Sequence, residues 1–221
     1  MQLGGASKEV TVMFTDLASF TSISEALSAR DLANLLNLYF TEMTKVIFKN
    51  RGTLDKYIGD AMMAFWGAPL PVETPADDAC RSALMMNKRL ASFNEQKSHQ
   101  LTMRMGINTG QAIVGNLGSE MQFSYTAMGD SVNLASRLES INKQYGTLII
   151  IGDTTYHSLR LNEFSIRPLD LVQVKGKTEA SRIFELRGFK DEETKQDREL
   201  IECFTNGLNL YVEGELESAS Q

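Results

Sequence analysis

The chain has 221 residues, 43% of them hydrophobic and 23% charged, which suits one domain of generous size with a short appendage. Its formal net charge of −6 excludes a nucleic-acid binder driven by bulk charge, but a nucleotide is not excluded, because a few local cations and metal ions can neutralise its phosphates. Cys80 and Cys203 are isolated and the histidines are His99 and His157 alone, so reduced cytosolic thiols are expected instead of a disulfide framework or a histidine-rich metal site. No apolar run approaches the roughly 18–20 residues of a membrane helix, and no basic-then-apolar leader opens the chain. A soluble, cytoplasmic chain is expected; membrane tethering of a longer protein would leave the same sequence.

Residues 1–7 are polar and Gly-containing and read as a lead-in. Glu9–Thr15 alternates, with Val10, Val12 and Phe14 on one face and Met13 making the other partly apolar, as in a strand near the middle of a sheet. Asp16 then stands at the strand's carboxyl end, as a site carboxylate or as an ordinary turn residue. Ser28, with Asp31 three residues on, caps a long helical stripe running from Leu32 to Ile47, and Gly52 fits just past its end. Leu54–Ile58 and Ala61–Trp66 read as two strands around Gly59-Asp60, a two-residue hairpin with Asp60 at the tip. If the hairpin lies beside the first strand, Asp16 and Asp60 approach, and a divalent cation between them is the simplest relief of their repulsion. Trp66 reads as core.

Thr74-Pro75 opens a second helix, with Thr74 as its cap and Ala79, Ala83, Leu84, Leu90 and Phe93 facing the sheet. In the strand Leu101–Ile107, Arg104 interrupts an apolar run and has either an anionic partner or an exposed position. Gly110–Gly118 suggests a hairpin and lacks the Lys and Ser/Thr of a P-loop. A helix starts near Asp130 and buries Val132, Leu134, Ala135 and Leu138; Asn133 and Arg137, one turn apart, share another face. They are either solvated surface or a pair that holds a sugar oxygen and a phosphate. Thr147–Ile151, Phe164–Val174 and Arg182–Leu186 follow as strands, and Asp153 caps a short helix through His157. From Asp191 the chain becomes charged, and residues 200–212 carry an apolar helical stripe. The predicted fold class is α+β, with helices on a mainly antiparallel sheet.

Four segments, F-T-D-L-A-S-F-T at Phe14–Thr21, L-D-K-Y-I-G-D-A-M-M-A-F-W-G at Leu54–Gly67, M-R-M-G-I-N-T-G at Met103–Gly110 and F-S-Y-T-A-M-G-D-S-V-N-L-A-S-R-L-E at Phe123–Glu139, together and in order resemble the catalytic domain of class III nucleotidyl cyclases. The resemblance implies a catalytic domain over residues 8–188, with a ferredoxin-like β-α-β-β-α-β core, further C-terminal strands and a C-terminal helix. Residues 189–221 would be a linker and helical tail, whose wording resembles the opening of a truncated tetratricopeptide-type repeat.

The resemblance also implies the chemistry. The 3′-hydroxyl of a nucleoside triphosphate attacks its own α-phosphorus with two divalent cations, Mg²⁺ or Mn²⁺ (Ca²⁺ as a structural substitute), held by Asp16, Asp60 and the carbonyl of Leu17. Asn133 positions the ribose, Arg137 meets charge on the α-phosphate, and Arg104 and Lys175 contact the terminal phosphates. Lys56 and Thr126 select the base: Lys with Asp or Thr resembles adenylate-forming members, whereas guanylate-forming members usually carry Glu and Cys. Active sites shared between two copies are implied, with Asp16, Asp60 and Arg104 from one chain and Lys56, Thr126, Asn133, Arg137 and Lys175 from the other. ATP as substrate, a homodimer, bicarbonate regulation and an upstream sensor outside this chain complete the expectation. A catalytically silent nucleotide-binding dimer and a guanylate cyclase are the alternatives. Ser19 departs from the family, standing where many members have Gly.

Overall fold

Strand β1 (Gly4–Leu17) buries Val10 and Val12 on one face and Met13 and Leu17 on the other, so it requires cover on both sides. In the computed structural model, which describes residues 3–95, 100–173 and 180–214, β1 lies inside one mixed sheet. It pairs antiparallel with β3 (Ala61–Trp66) over Thr11–Thr15 and with β4 (Met103–Gly118) over its whole length. The stretch read as a lead-in is therefore strand from Gly4 onward, because Gly4–Ser7 pair with Ile113–Asn116.

The sheet order is β2-β3-β1-β4-β6-β8-β7, where β2 is Thr53–Ile58, β6 Ile149–Gly152, β7 Phe164–Val172 and β8 Ser181–Phe189. The β4–β6 pair alone is parallel among the described strands; β5 (Phe123–Met128) pairs with the second half of β4. With helices α2 (Ala29–Lys49) and α3 (Pro75–Asn94), the run β1-α2-β2-β3-α3-β4 and the order β2-β3-β1-β4 make the ferredoxin-like core.

Two apolar layers sandwich the sheet. Tyr39, Met43 and Ile47 of α2 and Ala83 and Met86 of α3 pack on Met13, Met103, Met105 and Ile107. On the opposite face α4 (Asp130–Tyr145) sets Val132 and Ala135 against Val10, Val12 and Val114, and Leu134 and Leu138 against Ile150 and Ile183. Helix α5 (Asp153–Ser158) belongs with α2 and α3, through Tyr156 stacked on Phe184 at 3.9 Å.

The local signals are used unevenly. Ser28 caps α2 as expected, its hydroxyl accepting the Asp31 N–H at 3.2 Å. Past α2 the left-handed residue is Arg51, at φ 63°, while Gly52 lies so close to Ile47 and Trp66 that an added Cβ would fall 2.7 Å from each. Thr74 caps α3 by position with no side-chain capping bond, and Asp153 is the first residue of α5, not its cap. A short helix α1 (Phe20–Ala26), which fully buries no residue and packs on the core only through the partly buried Phe20 and Ile23, was not read from the pattern. Nor was the continuity of β4. Gly110 and Gly115 lie inside β4, and the expected hairpin comes later, after Gly118, where residues 119–122 turn the chain back into β5. Within β4 a Cβ on Gly115 would fall 2.1 Å from the Gly4 carbonyl oxygen, and one on Gly106 2.1 Å from the α4 backbone.

Helix α6 (Lys195–Glu213) begins with a capping box between Thr194 and Asp197 and lies on β7, with Arg167 over the Phe204 ring at 4.5 Å and Arg187 3.2 Å from Asp197. It docks on its own domain with one side only, since Leu200, Tyr211 and Val212 of the expected stripe remain 46–61% exposed.

Candidate active site

Asp16 is the penultimate residue of β1, and the β1–β3 register, with Thr15 opposite Met62, brings the β2–β3 turn alongside that end. Gly59 at φ 64° followed by Asp60 closes the turn in two residues, which fixes Asp60 beside Leu17. One Asp60 carboxylate oxygen accepts the Leu17 N–H at 3.2 Å, and the Asp16 and Asp60 carboxyls come within hydrogen-bonding reach of each other. Burial, and then the charge of Asp60, pushes the Asp16 carboxyl above its ordinary value, with Arg104 opposing. Arg104 stands directly across from Asp16 in the β1–β4 register, and its Nε is buried without a hydrogen-bond partner among the described residues.

The pair fits a cation that is only partly caged. No group of three or more His, Cys, Asp or Glu side chains among the described residues could hold a metal by itself. Two carboxylates and a nearby backbone carbonyl suit a hard divalent ion such as Mg²⁺, which keeps waters and takes its remaining ligands from substrate phosphates. Glu139 of α4 faces this cluster too. Burial raises its carboxyl, followed by the negative charge of Asp16, with Arg104 again in opposition. Nothing in the sequence pattern singles out Glu139, because its approach to this strand end depends on how α4 packs across the sheet.

A second cluster forms where β5 meets β2. Lys56 Nζ lies 3.4 Å from the Thr126 hydroxyl, so the two residues expected to read the base are neighbours within one chain. Between them sits Asp55, which sequence reading passed over. Its side chain is 0% exposed; one oxygen accepts the Thr126 hydroxyl at 2.5 Å and the Ala127 N–H at 3.3 Å, and the other lies 3.2 Å from Lys56 Nζ. Simple alternation would send Asp55 and Lys56 to opposite faces. The register shift between Leu54 and Lys56 makes Asp55 the extra residue of a β-bulge and turns both side chains to the same side.

Asn133 and Arg137 lie on the exposed face of α4, one turn apart. The described contacts do not bring them to the Asp16–Asp60 pair. Lys175 lies outside the described residues.

Residues 5–188 match the family model described as the adenylate and guanylate cyclase catalytic domain. The chain belongs to this family. Among curated relatives of this cyclase domain, adenylate cyclase 1 of Rhizobium meliloti is 38% identical over 82% of the chain, and an adenylate cyclase of Anabaena cylindrica is 36% identical over 85%. The chain spans 28% and 38% of those two proteins' lengths. Among solved structures, the adenylyl cyclase CyaB from P. aeruginosa aligns with a TM-score of 0.75 at 36% identity, over 84% of this chain and 96% of that one. The guanylyl cyclase Cya2 aligns equally well, at 0.75 and 34% identity, over 86% and 97%.

Within the cyclase domain, the backbone at Ser19 is unusual. Ser19 sits just before α1 at φ 59° and ψ 26°, the left-handed region that glycine enters freely and other residues enter at a cost. No helix among the described residues is long and apolar enough to cross a membrane.

Proposed function

We propose that this domain is an adenylate cyclase, converting ATP to 3′,5′-cyclic AMP and pyrophosphate at sites shared by two copies of the chain. The observation that carries the reading is the meeting of Asp16 and Asp60, two carboxylates drawn together at a strand end where a like-charged pair needs a cation. Bound there with the Leu17 carbonyl, two divalent ions would supply Lewis-acid polarisation of the α-phosphate and activation of the attacking oxygen.

The chain's own groups do the rest. Lys56 donates to N1 of adenine and Thr126 accepts from its 6-amino group. Asn133 holds the ribose so that its 3′-oxygen points at the α-phosphorus. Arg137 stabilises charge gathering on that phosphorus, and Arg104 and Lys175 hold the terminal phosphates. The 3′-oxygen bonds to phosphorus as the bond to the bridging oxygen breaks. Pyrophosphate leaves with the electron pair, and the proton passes to water or to substrate phosphate. The outward aim of Asn133 and Arg137 supports a second chain's acidic pair as their counterpart.

The test is turnover of ATP with Mg²⁺ or Mn²⁺ against protein concentration. Specific activity should rise with concentration, vanish in Asp60→Ala and in Arg137→Ala separately, and return when those two variants are mixed. The Cya2 likeness makes GTP the necessary competitor: preference for GTP would overturn the base assignment, and no product from either nucleotide would mark a silent nucleotide-binding dimer. Bicarbonate stimulation, implied for members carrying Thr at this position, is read in the same assay.

A further inference from the structure

Asp55 has no role in the chemistry above, yet it is the most enclosed charged group beside the base-reading pair. A threonine hydroxyl is ambiguous on its own: it carries one donor and two acceptor positions and rotates to suit its neighbour. Such a group could accept from the 6-amino group of adenine or donate to the 6-oxo group of guanine. An ionised carboxylate has no such freedom, because it only accepts.

Each group the structure sets against Asp55 is a donor: the Thr126 hydroxyl at 2.5 Å, the Ala127 N–H at 3.3 Å and the Lys56 ammonium at 3.2 Å. The shortest of these lies in the range of a charge-assisted O–H···O⁻ bond, in which the proton belongs to Thr126. The hydroxyl hydrogen is thereby directed inward, and Lys56 donates to the same oxygen at 3.4 Å from outside. Thr126 can then offer an incoming base only a lone pair.

The geometry points to Asp55 as a specificity-setting positioning residue, which holds the Thr126 hydroxyl as an acceptor and so makes the Lys56–Thr126 pair complementary to a 6-aminopurine and repellent to a 6-oxopurine. This rests on the adenylate reading and deepens it. The bulge is the enabling feature: in a regular ladder Asp55 would alternate with Lys56 and its carboxylate would point to the other face of β2. The cost of leaving a polar contact mismatched in a closed site is what gives such an arrangement its discrimination.

The experiment measures kcat/KM for ATP and for GTP in the wild-type chain, Asp55→Ala, Thr126→Val and the double variant. The wild-type preference for ATP tests the adenylate reading by itself. The change in that preference on altering Asp55 tests this inference. Asp55→Ala should lower the ATP-to-GTP ratio by at least about tenfold, mainly through better use of GTP as Thr126 becomes free to donate. In the Thr126→Val background the same substitution should leave the ratio unchanged, because no hydroxyl remains to be oriented. If Asp55→Ala does not yield folded protein, Asp55→Asn keeps the volume while offering either an acceptor or a donor, and should shift the ratio in the same direction. An unchanged ratio in folded Asp55→Ala or Asp55→Asn, or an equal shift with and without the Thr126 hydroxyl, would overturn the assignment.

Discussion

Asp77 and Asp78, in the first turn of α3, are more deeply buried than Asp16 and Asp60, but the chain treats the two acidic pairs in opposite ways. Asp78 meets Arg51 at 2.7 Å and Arg81 at 2.9 Å, and Arg81 continues to Glu163 at 2.6 Å. Asp77 accepts the Arg160 N–H at 2.9 Å and lies 3.5 Å from that residue's side-chain Nε. These carboxylates also sit at a helix N-terminus, where partial positive charge favours them. Asp16 and Asp60 instead face each other across a turn, with Arg104 set against Asp16 and Glu139 adding further negative charge. The α3 carboxylates have cations built in beside them; Asp16 and Asp60 are left with a shortage of positive charge, as the proposed cation site requires.

The largest effect that would break this contrast is on turnover. Asp60→Asn keeps the size of the side chain and the means to accept from Leu17, yet removes half of the acidic pair. Cyclic AMP production should fall by at least about 10³-fold, with the thermal midpoint of the metal-free protein kept or raised. A variant that unfolds instead would make the pair structural, like its counterpart in α3.

Arg81→Ala should do the reverse. It strips Asp78 and Glu163 of a shared cation while leaving Asp78 almost wholly buried, which is the costly way to break an ion pair. A loss of about 2–4 kcal/mol in urea unfolding is expected, moderated by Arg51 remaining beside Asp78 and by the partial exposure of Arg81 itself. Turnover per folded chain should persist.

A smaller effect follows from the sign of the Asp16 shift. Its carboxyl is raised in the folded chain, by burial first and by Asp60 second. The contribution of this group to stability is therefore full below the ordinary carboxylate range and is lost as pH rises through the raised value. Metal-free wild-type protein should lose stability over that interval, and Asp16→Asn should lose less, keeping only the part that comes from the raised Glu139 carboxyl. Thermal midpoints measured in chelator from about pH 4 to about pH 7, the range from carboxylate titration to neutrality, would run parallel in the two proteins if the Asp16 carboxyl were not raised in the folded chain.

The same contrast explains what could be read from sequence. Asp16 and Asp60 were legible because each depends on local grammar: an alternating strand that stops, and a Gly-Asp turn of two residues. Ser28 with Asp31 marked the start of α2 for the same reason. Asp55 was not legible, since its orientation depends on a bulge that alternation cannot register and its partners lie some 70 residues away in β5. The glycines of Gly110–Gly118 were only partly informative: Gly118 does stand before the turn into β5, whereas Gly115 is required by the close approach of β1, which a turn signal cannot reveal. Nothing in the sequence pattern singles out Asp77 and Asp78; their burial becomes apparent only when Arg81, one turn on in α3, is joined by Arg51 and Arg160 from outside the helix.

The finest test compares the backbone beside each acidic pair. Ser19 and Arg51 are the non-glycine residues with positive φ among the described residues, at 59° and 63°, one leading from the Asp16 strand and the other reaching Asp78. Ser19 makes no side-chain capping bond, so Ser19→Gly removes backbone strain without removing a capping contact and should stabilise the chain by about 0.5–1 kcal/mol. Arg51→Gly relieves the same kind of strain but deletes the guanidinium that holds Asp78, so its net gain should be smaller or reversed. Paired unfolding curves decide the point: equal gains at both sites would mean that Arg51 contributes nothing to its carboxylate, and the built-in neutralisation of the α3 pair would then rest on Arg81 and Arg160.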